Sequence, residues 1–291
     1  MSDGPHLVNL GEISKPADTL IKKISGALGG IFEPHQIKRV AKAEAEASLI
    51  KAQSEIEITD LQRRAFARWV GEESKKQENI EGIAQKAIPH LKEGASPEKM
   101  DDDWITNFFD KCRIVSNDEM QDLWAKILSG EANAPGMFSK RTVNLLGTLE
   151  RTEAEAFVRL MGFGWNLGEP QPLIFDYTAS IYNDAGVTFQ VISNLESVGL
   201  LRFETFAGFR RQGYPQKAVV FYFGAPIALE FTGPTEIQTG KVLLTKAGIQ
   251  LARICESNPV DGFIEYTINE WAKGGVVISS PLDGPKGPKR K

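Results

Sequence analysis

Thr188-Phe189-Gln190-Val191-Ile192-Ser193-Asn194-Leu195-Glu196-Ser197-Val198-Gly199-Leu200-Leu201-Arg202-Phe203 decides how the C-terminal half is read. Thr188 suits a helix N-cap, Phe189 to Val198 read as a helix, and Gly199 is placed to end it. An apolar run follows at once. A glycine-ended helix passing into an apolar strand matches the step from the second helix of a helix-turn-helix into a wing. Further on, Lys217 to Phe223 alternate like a strand, with a loop before them at Gly208–Pro215. Val242-Leu243-Leu244 reads as another strand, running into a helix capped by Thr245 and carrying Ile249, Leu251, Ala252 and Ile254. A short apolar segment at 173–182 comes before this pattern, and a small strand–helix–strand at 259–278 comes after it. The expectation for 169–280 is a winged-helix-like domain.

The chain upstream is helical in pattern. Asp101, Asp102 and Asp103 precede Trp104, Ile105, Phe108 and Phe109, which puts carboxylates at the positive end of an amphipathic helix. Ser116 and Glu119 have capping-box spacing ahead of Met120, Leu123, Trp124, Ile127 and Leu128. Ser139 and Thr152 begin two more helices. Residues 98–168 therefore read as a four-helix cluster.

Residues 35–97 read as a long charged helix and a linker. Proline is absent from 36 to 88, and Ala41 to Ala47 have high helix propensity with little apolar surface. Leu61, Ala65 and Trp69 form one stripe; Ile80, Ile83, Ala84, Ala87 and Ile88 form another. A continuous helix of this length would be a rod of about 75–80 Å. Its stripe is too irregular for a heptad and suggests packing on a partner helix in an oligomer, with Gly71 a candidate break.

Residues 1–34 carry an amphipathic helix at about 19–32, capped by Asp18. Leu20, Ile24, Leu28, Ile31 and Phe32 make its apolar face, and Lys22 and Lys23 lie off it. Gly26, Gly29 and Gly30 weaken it, so it needs a surface to form on. That surface is either protein or a lipid interface, the second helped by Lys38, Arg39 and Lys42. Residues 281–291 read as a disordered basic tail. The fold class is mainly α with a smaller α+β part: a long N-terminal helix, a helical cluster and a C-terminal winged-helix-like domain.

Composition narrows the function. The apolar share of 42% and charged share of 25% are those of a folded protein, and the net charge of −4 supplies no global attraction to nucleic acid. Two cysteines, Cys112 and Cys255, give no disulfide framework, and the three histidines share no ligand spacing. No secretory signal and no apolar run of about 18 or more residues is visible, so the expected location is the cytoplasm, with a peripheral inner-membrane seat through 19–32 as the variant. No phosphate loop or Gly-x-Ser-x-Gly elbow occurs, and no histidine lies in the C-terminal two-thirds to serve a triad. The expectation is a non-enzyme with no catalytic, cofactor or metal residues.

The alternative is a DNA-binding winged-helix regulator. The presumed recognition helix exposes Gln190, Ser193, Asn194, Glu196 and Ser197, with no Lys or Arg, and Glu196 would face phosphate at a cost. Arg202, Arg210, Arg211 and Lys217 are the candidate wing contacts, interleaved with Phe206, Phe209 and Tyr214.

Residues 116–131, with Glu119, Gln121, Leu123, Trp124 and Leu128 in one helix, resemble a signature of an uncharacterised bacterial family known only as a domain of unknown function. Arg141-Thr142-Val143 and Leu146 to Ala156 continue the likeness. Two later pieces resemble it in the same order: Leu195, Gly199, Leu200 and Leu201, then Leu244, Thr245, Gly248, Leu251 and Cys255. More distantly the same helix is similar to the abortive-infection alpha proteins. That resemblance implies a role in bacterial defence against phage. Joined to the long helix, the expectation is an interaction or sensor protein that self-associates through that helix, with a protein from a neighbouring gene as a further partner. The resemblance carries no catalytic residue over.

Overall fold

The structure, a computed structural model, describes residues 14–28 and 59–279. Ile31, Phe32, the basic run Lys38, Arg39 and Lys42, most of the long-helix segment before Thr59, and the tail 281–291 lie outside them. The fold is mixed α and β and mainly helical. It divides into two units, Met1–Asn144 and Leu145–Lys291.

The first unit holds α1 (Lys15–Leu28), α2 (Asp60–Ala87), α3 (Asp102–Cys112), α4 (Asp118–Asn133) and most of α5 (Lys140–Leu146). α1 starts earlier than the expected 19–32, because Pro16 occupies its first turn, where it has no N–H to forfeit. The expected continuous helix over 36–88 is corrected: Thr59 is extended at φ −64° and ψ 155°, and α2 begins after it. The Thr59 hydroxyl accepts the N–H of Gln62, whose side-chain oxygen accepts the Thr59 N–H at 2.9 Å. That reciprocal cap makes Thr59 a start rather than a midpoint. Gly71, in contrast, lies inside α2 without breaking it.

Phe108 centres the core of this unit, 5.0 Å from Trp124, 5.1 Å from Trp104 and 5.1 Å from Phe109 between ring centroids. Ile83, Ala84 and Ala87 are buried on the end of α2 that packs on α4. Ala17, Leu20 and Ile24 are buried where α1 meets α3 and the 3-10 turn Pro97–Lys99. Asp101 caps α3 by accepting the Trp104 N–H at 2.7 Å. The cap of α4 is Asn117, which accepts the Met120 N–H at 3.0 Å, one residue later than the Ser116 box expected. Asparagine beside serine is an equally good cap, and spacing alone does not choose between them.

The second unit opens with α6 (Arg151–Met161), so α6 does not share a unit with α3 and α4 as the four-helix reading supposed. It continues with β1 (Gly164–Asn166), β2 (Pro170–Pro172), α7 (Ser180–Asn183), α8 (Phe189–Val198) and β3 (Leu201–Phe203). β4 (Phe209–Gln212), β5 (Lys217–Tyr222), β6 (Ala225–Phe231), β7 (Glu236–Gly240) and β8 (Val242–Leu244) follow. α9 (Lys246–Ala252), α10 (Phe263–Lys273) and β9 (Val276–Ser279) complete it.

An antiparallel sheet runs β2-β1-β5-β6-β9, and β3 pairs with β8 and β4 with β7 in two smaller ladders. The loop expected at Gly208–Pro215 thus contains a strand, and the hairpin containing Lys217–Phe223 joins a larger sheet. Leu173, Ile174 and Phe175 are buried without forming a strand, and helix and strand, with no strand before them, fill 259–278. Phe163, Trp165, Tyr182, Tyr222, Phe263 and Trp271 make the aromatic core. Tyr222 Oη donates to the Gly162 carbonyl at 2.8 Å and accepts the Val260 N–H at 2.7 Å, whereas the Trp165 indole N–H is buried without a partner among the described residues. Burial pushes the Tyr182 and Tyr222 phenols up, so both stay neutral.

Candidate interaction surface

Most side chains that the sequence marks as candidates have structural partners. Of the three described residues of the α1 apolar face, Leu20 and Ile24 are buried in the first unit and Leu28 is exposed. Lys22 pairs with Asp18 and Lys23 with Asp102, at 2.7 and 2.6 Å. The face offered to lipid is therefore turned inward at its two central positions, which suits the protein-docked alternative.

The signature helix is α4. Trp124 and Leu128 are buried, Leu123 is half-buried and Glu119 is exposed in the first turn. Gln121 donates to the Val115 carbonyl at 2.9 Å and lies 3.3 Å from the Asn79 oxygen, while Asn79 donates to the Arg113 carbonyl at 2.8 Å. These amides satisfy carbonyls just past the end of α3, where the helix leaves them unpaired. Lys86 bridges Asp118 and Asp122, each at 2.6 Å, which raises its pKa against the opposing effect of burial.

Glu131 has a structural role that the sequence reading missed. Its buried carboxylate accepts the N–H of Gly136 at 2.6 Å and of Phe138 at 2.8 Å, holding the turn after α4. Burial pushes this carboxyl up and the backbone N–H groups pull it back. Gly130 completes the fit, since a Cβ there would lie 2.7 Å from the Phe138 ring. The Ser-Gly-Glu at the end of the signature thus builds a turn.

The two later signature pieces form one joint. Leu201 pairs with Leu244 across β3 and β8, and Thr245 donates from its hydroxyl to the Gly199 carbonyl at 2.7 Å. The same hydroxyl caps α9 by accepting the Gly248 N–H at 3.2 Å. Gly199 takes the left-handed φ of 90° that ends α8. Gly248 sits against Leu200, and a Cβ on it would be 2.0 Å from the Leu200 oxygen.

On the presumed wing, Arg202 is exposed on β3, Arg210 pairs with Glu236 at 2.7 Å, Lys217 pairs with Glu230 at 3.4 Å, and Arg211 lies near Gly168. Glu236, held by Arg210 and Gln212, has a lowered pKa and stays ionised. The four cations do not form one patch free of carboxylates. On α8, the exposed Glu196 accepts the Phe203 N–H at 2.7 Å, and Asn194 donates to Glu153 at 3.4 Å. The Asp101–Asp103 cluster is a cap with counter-ions, Asp102 on Lys23 and Asp103 on Lys140. Among the described residues no group of three or more His, Cys, Asp and Glu is placed to hold a metal ion. No helix in the described residues is long and apolar enough to cross a membrane.

Among the described residues, one exposed apolar surface lies on the N-terminal half of α2. At 1.5 Å per residue α2 is about 42 Å long and α4 about 24 Å, so α4 covers only part of it. Hydrogen bonds reach α4 and the end of α3 from Asn79 onward. Before that, Leu61, Phe66 and Trp69 are 69, 40 and 55% exposed. At 100° per residue Leu61, Ala65, Phe66 and Trp69 fall on the same side of the helix as the buried Ile83, Ala84 and Ala87. The apolar residues at the C-terminal end of this side are covered and those at its N-terminal end are exposed, with Glu72, Glu73 and Lys76 between them. Phe66 and Trp69 stack at 5.8 Å, one helical turn apart. The stripe at Leu61, Ala65 and Trp69 is legible in sequence; Phe66, three residues before Trp69, extends it.

No curated protein and no solved structure matches the chain. A family described as protein of unknown function (DUF2806) matches residues 63–268, from the bare half of α2 through most of α10. The match covers well over half of the sequence, and on it the chain belongs to that uncharacterised family.

Proposed function

We propose that this chain is a non-enzymatic interaction protein of bacterial antiphage defence whose working surface is the bare half of α2. The observation that carries the reading is the exposure of Leu61, Phe66 and Trp69 together on one side of α2. Large contiguous apolar groups on a charged helix favour association with another helix, because isolated exposed tryptophan and phenylalanine gain most from burial. The occupant is a protein α-helix bearing an apolar strip with charges on both flanks. The defence setting rests on the likeness of residues 116–156 to the abortive-infection alpha proteins. Engagement of the signature side chains in caps and turns supports binding rather than chemistry as the mode of action.

The test is phage plating on cells that carry the gene with and without Phe66→Glu and Trp69→Glu together. The wild type is expected to reduce plaque formation, and the double variant to lose that reduction while its circular dichroism and melting stay unchanged. Full protection by a folded double variant contradicts the assigned surface. A wild type that protects against no member of a broad phage panel contradicts the defence setting.

A further inference from the structure

We draw no further inference here: the strongest candidate, the outward face of the larger sheet where Val219, Phe221 and Val277 stand exposed beside the left-handed Phe223 at the β5–β6 turn, is an apolar face for which nothing in the structure shows what covers it.

Discussion

Replacing Trp124 by alanine is expected to destabilise the first unit by about 3–5 kcal/mol, among the largest effects of any single change there. Trp124 is completely buried in the middle of α4 and lies edge-on to Phe108 at 5.0 Å. Phe108 in turn stacks on Trp104, whose indole N–H donates to the Phe138 carbonyl at 2.8 Å. Removing the indole opens a cavity among groups that are tied from several sides and relax only in part. Trp124→Phe should cost much less. It keeps most of the apolar volume and removes an indole N–H that is buried with no hydrogen-bond partner in the protein. Urea unfolding followed by circular dichroism measures both. Equal losses for Ala and Phe would mean that the nitrogen, rather than the ring volume, matters at this position.

Gly248→Ala is expected to destabilise the second unit by about 3 kcal/mol or more, although alanine is ordinarily the better helix former. The added methyl would lie 2.0 Å from the Leu200 oxygen and 3.1 Å from the Leu200 carbonyl carbon. A backbone atom cannot rotate out of the way, so α9 must lift from β3. The lift would strain the hydrogen bonds from Thr245 to Gly199 and Leu200 and the pairing of Leu201 with Leu244. Gly71→Ala is the matched control, because nothing lies within 4 Å of a Cβ there. That change should be neutral or stabilising by up to about 1 kcal/mol. Thermal melts of the two variants test the contrast, and a Gly248→Ala protein as stable as wild type would contradict the described joint.

Local signals were legible and long-range ones were not. Thr188, Gly199 and Thr245 read as caps and ends from sequence because each acts within its own helix turn. The two small ladders and the larger sheet depend on partners far along the chain, such as Leu201 with Leu244 and Phe209 with Gly240. No local pattern announces those pairings. β6 is instructive: Ile227, Leu229 and Phe231 alternate inward as a strand should, yet Gly224 and Pro226 read as breakers. Pro226 is tolerated at its second residue, where it partners Phe221.

The candidate surface was legible in part for a similar reason. The stripe at Leu61, Ala65 and Trp69 is a matter of spacing, but spacing does not say which segment of a stripe is covered. That depends on where α4 ends relative to α2, a tertiary fact. The same limit applied to α1, whose Leu20 and Ile24 have a stripe of similar kind and are buried. Gln121 belongs to the signature helix and Glu131 ends it, yet only the positions of Val115, Gly136 and Phe138 show that both satisfy backbone groups.

The account turns on the exposed N-terminal half of α2 being the working surface of the chain. Plaque counts on cells carrying Phe66→Glu with Trp69→Glu, set beside circular dichroism of the same purified variant, test that most directly. Lost protection by a variant that folds like the wild type is predicted, and full protection by that folded variant would contradict it.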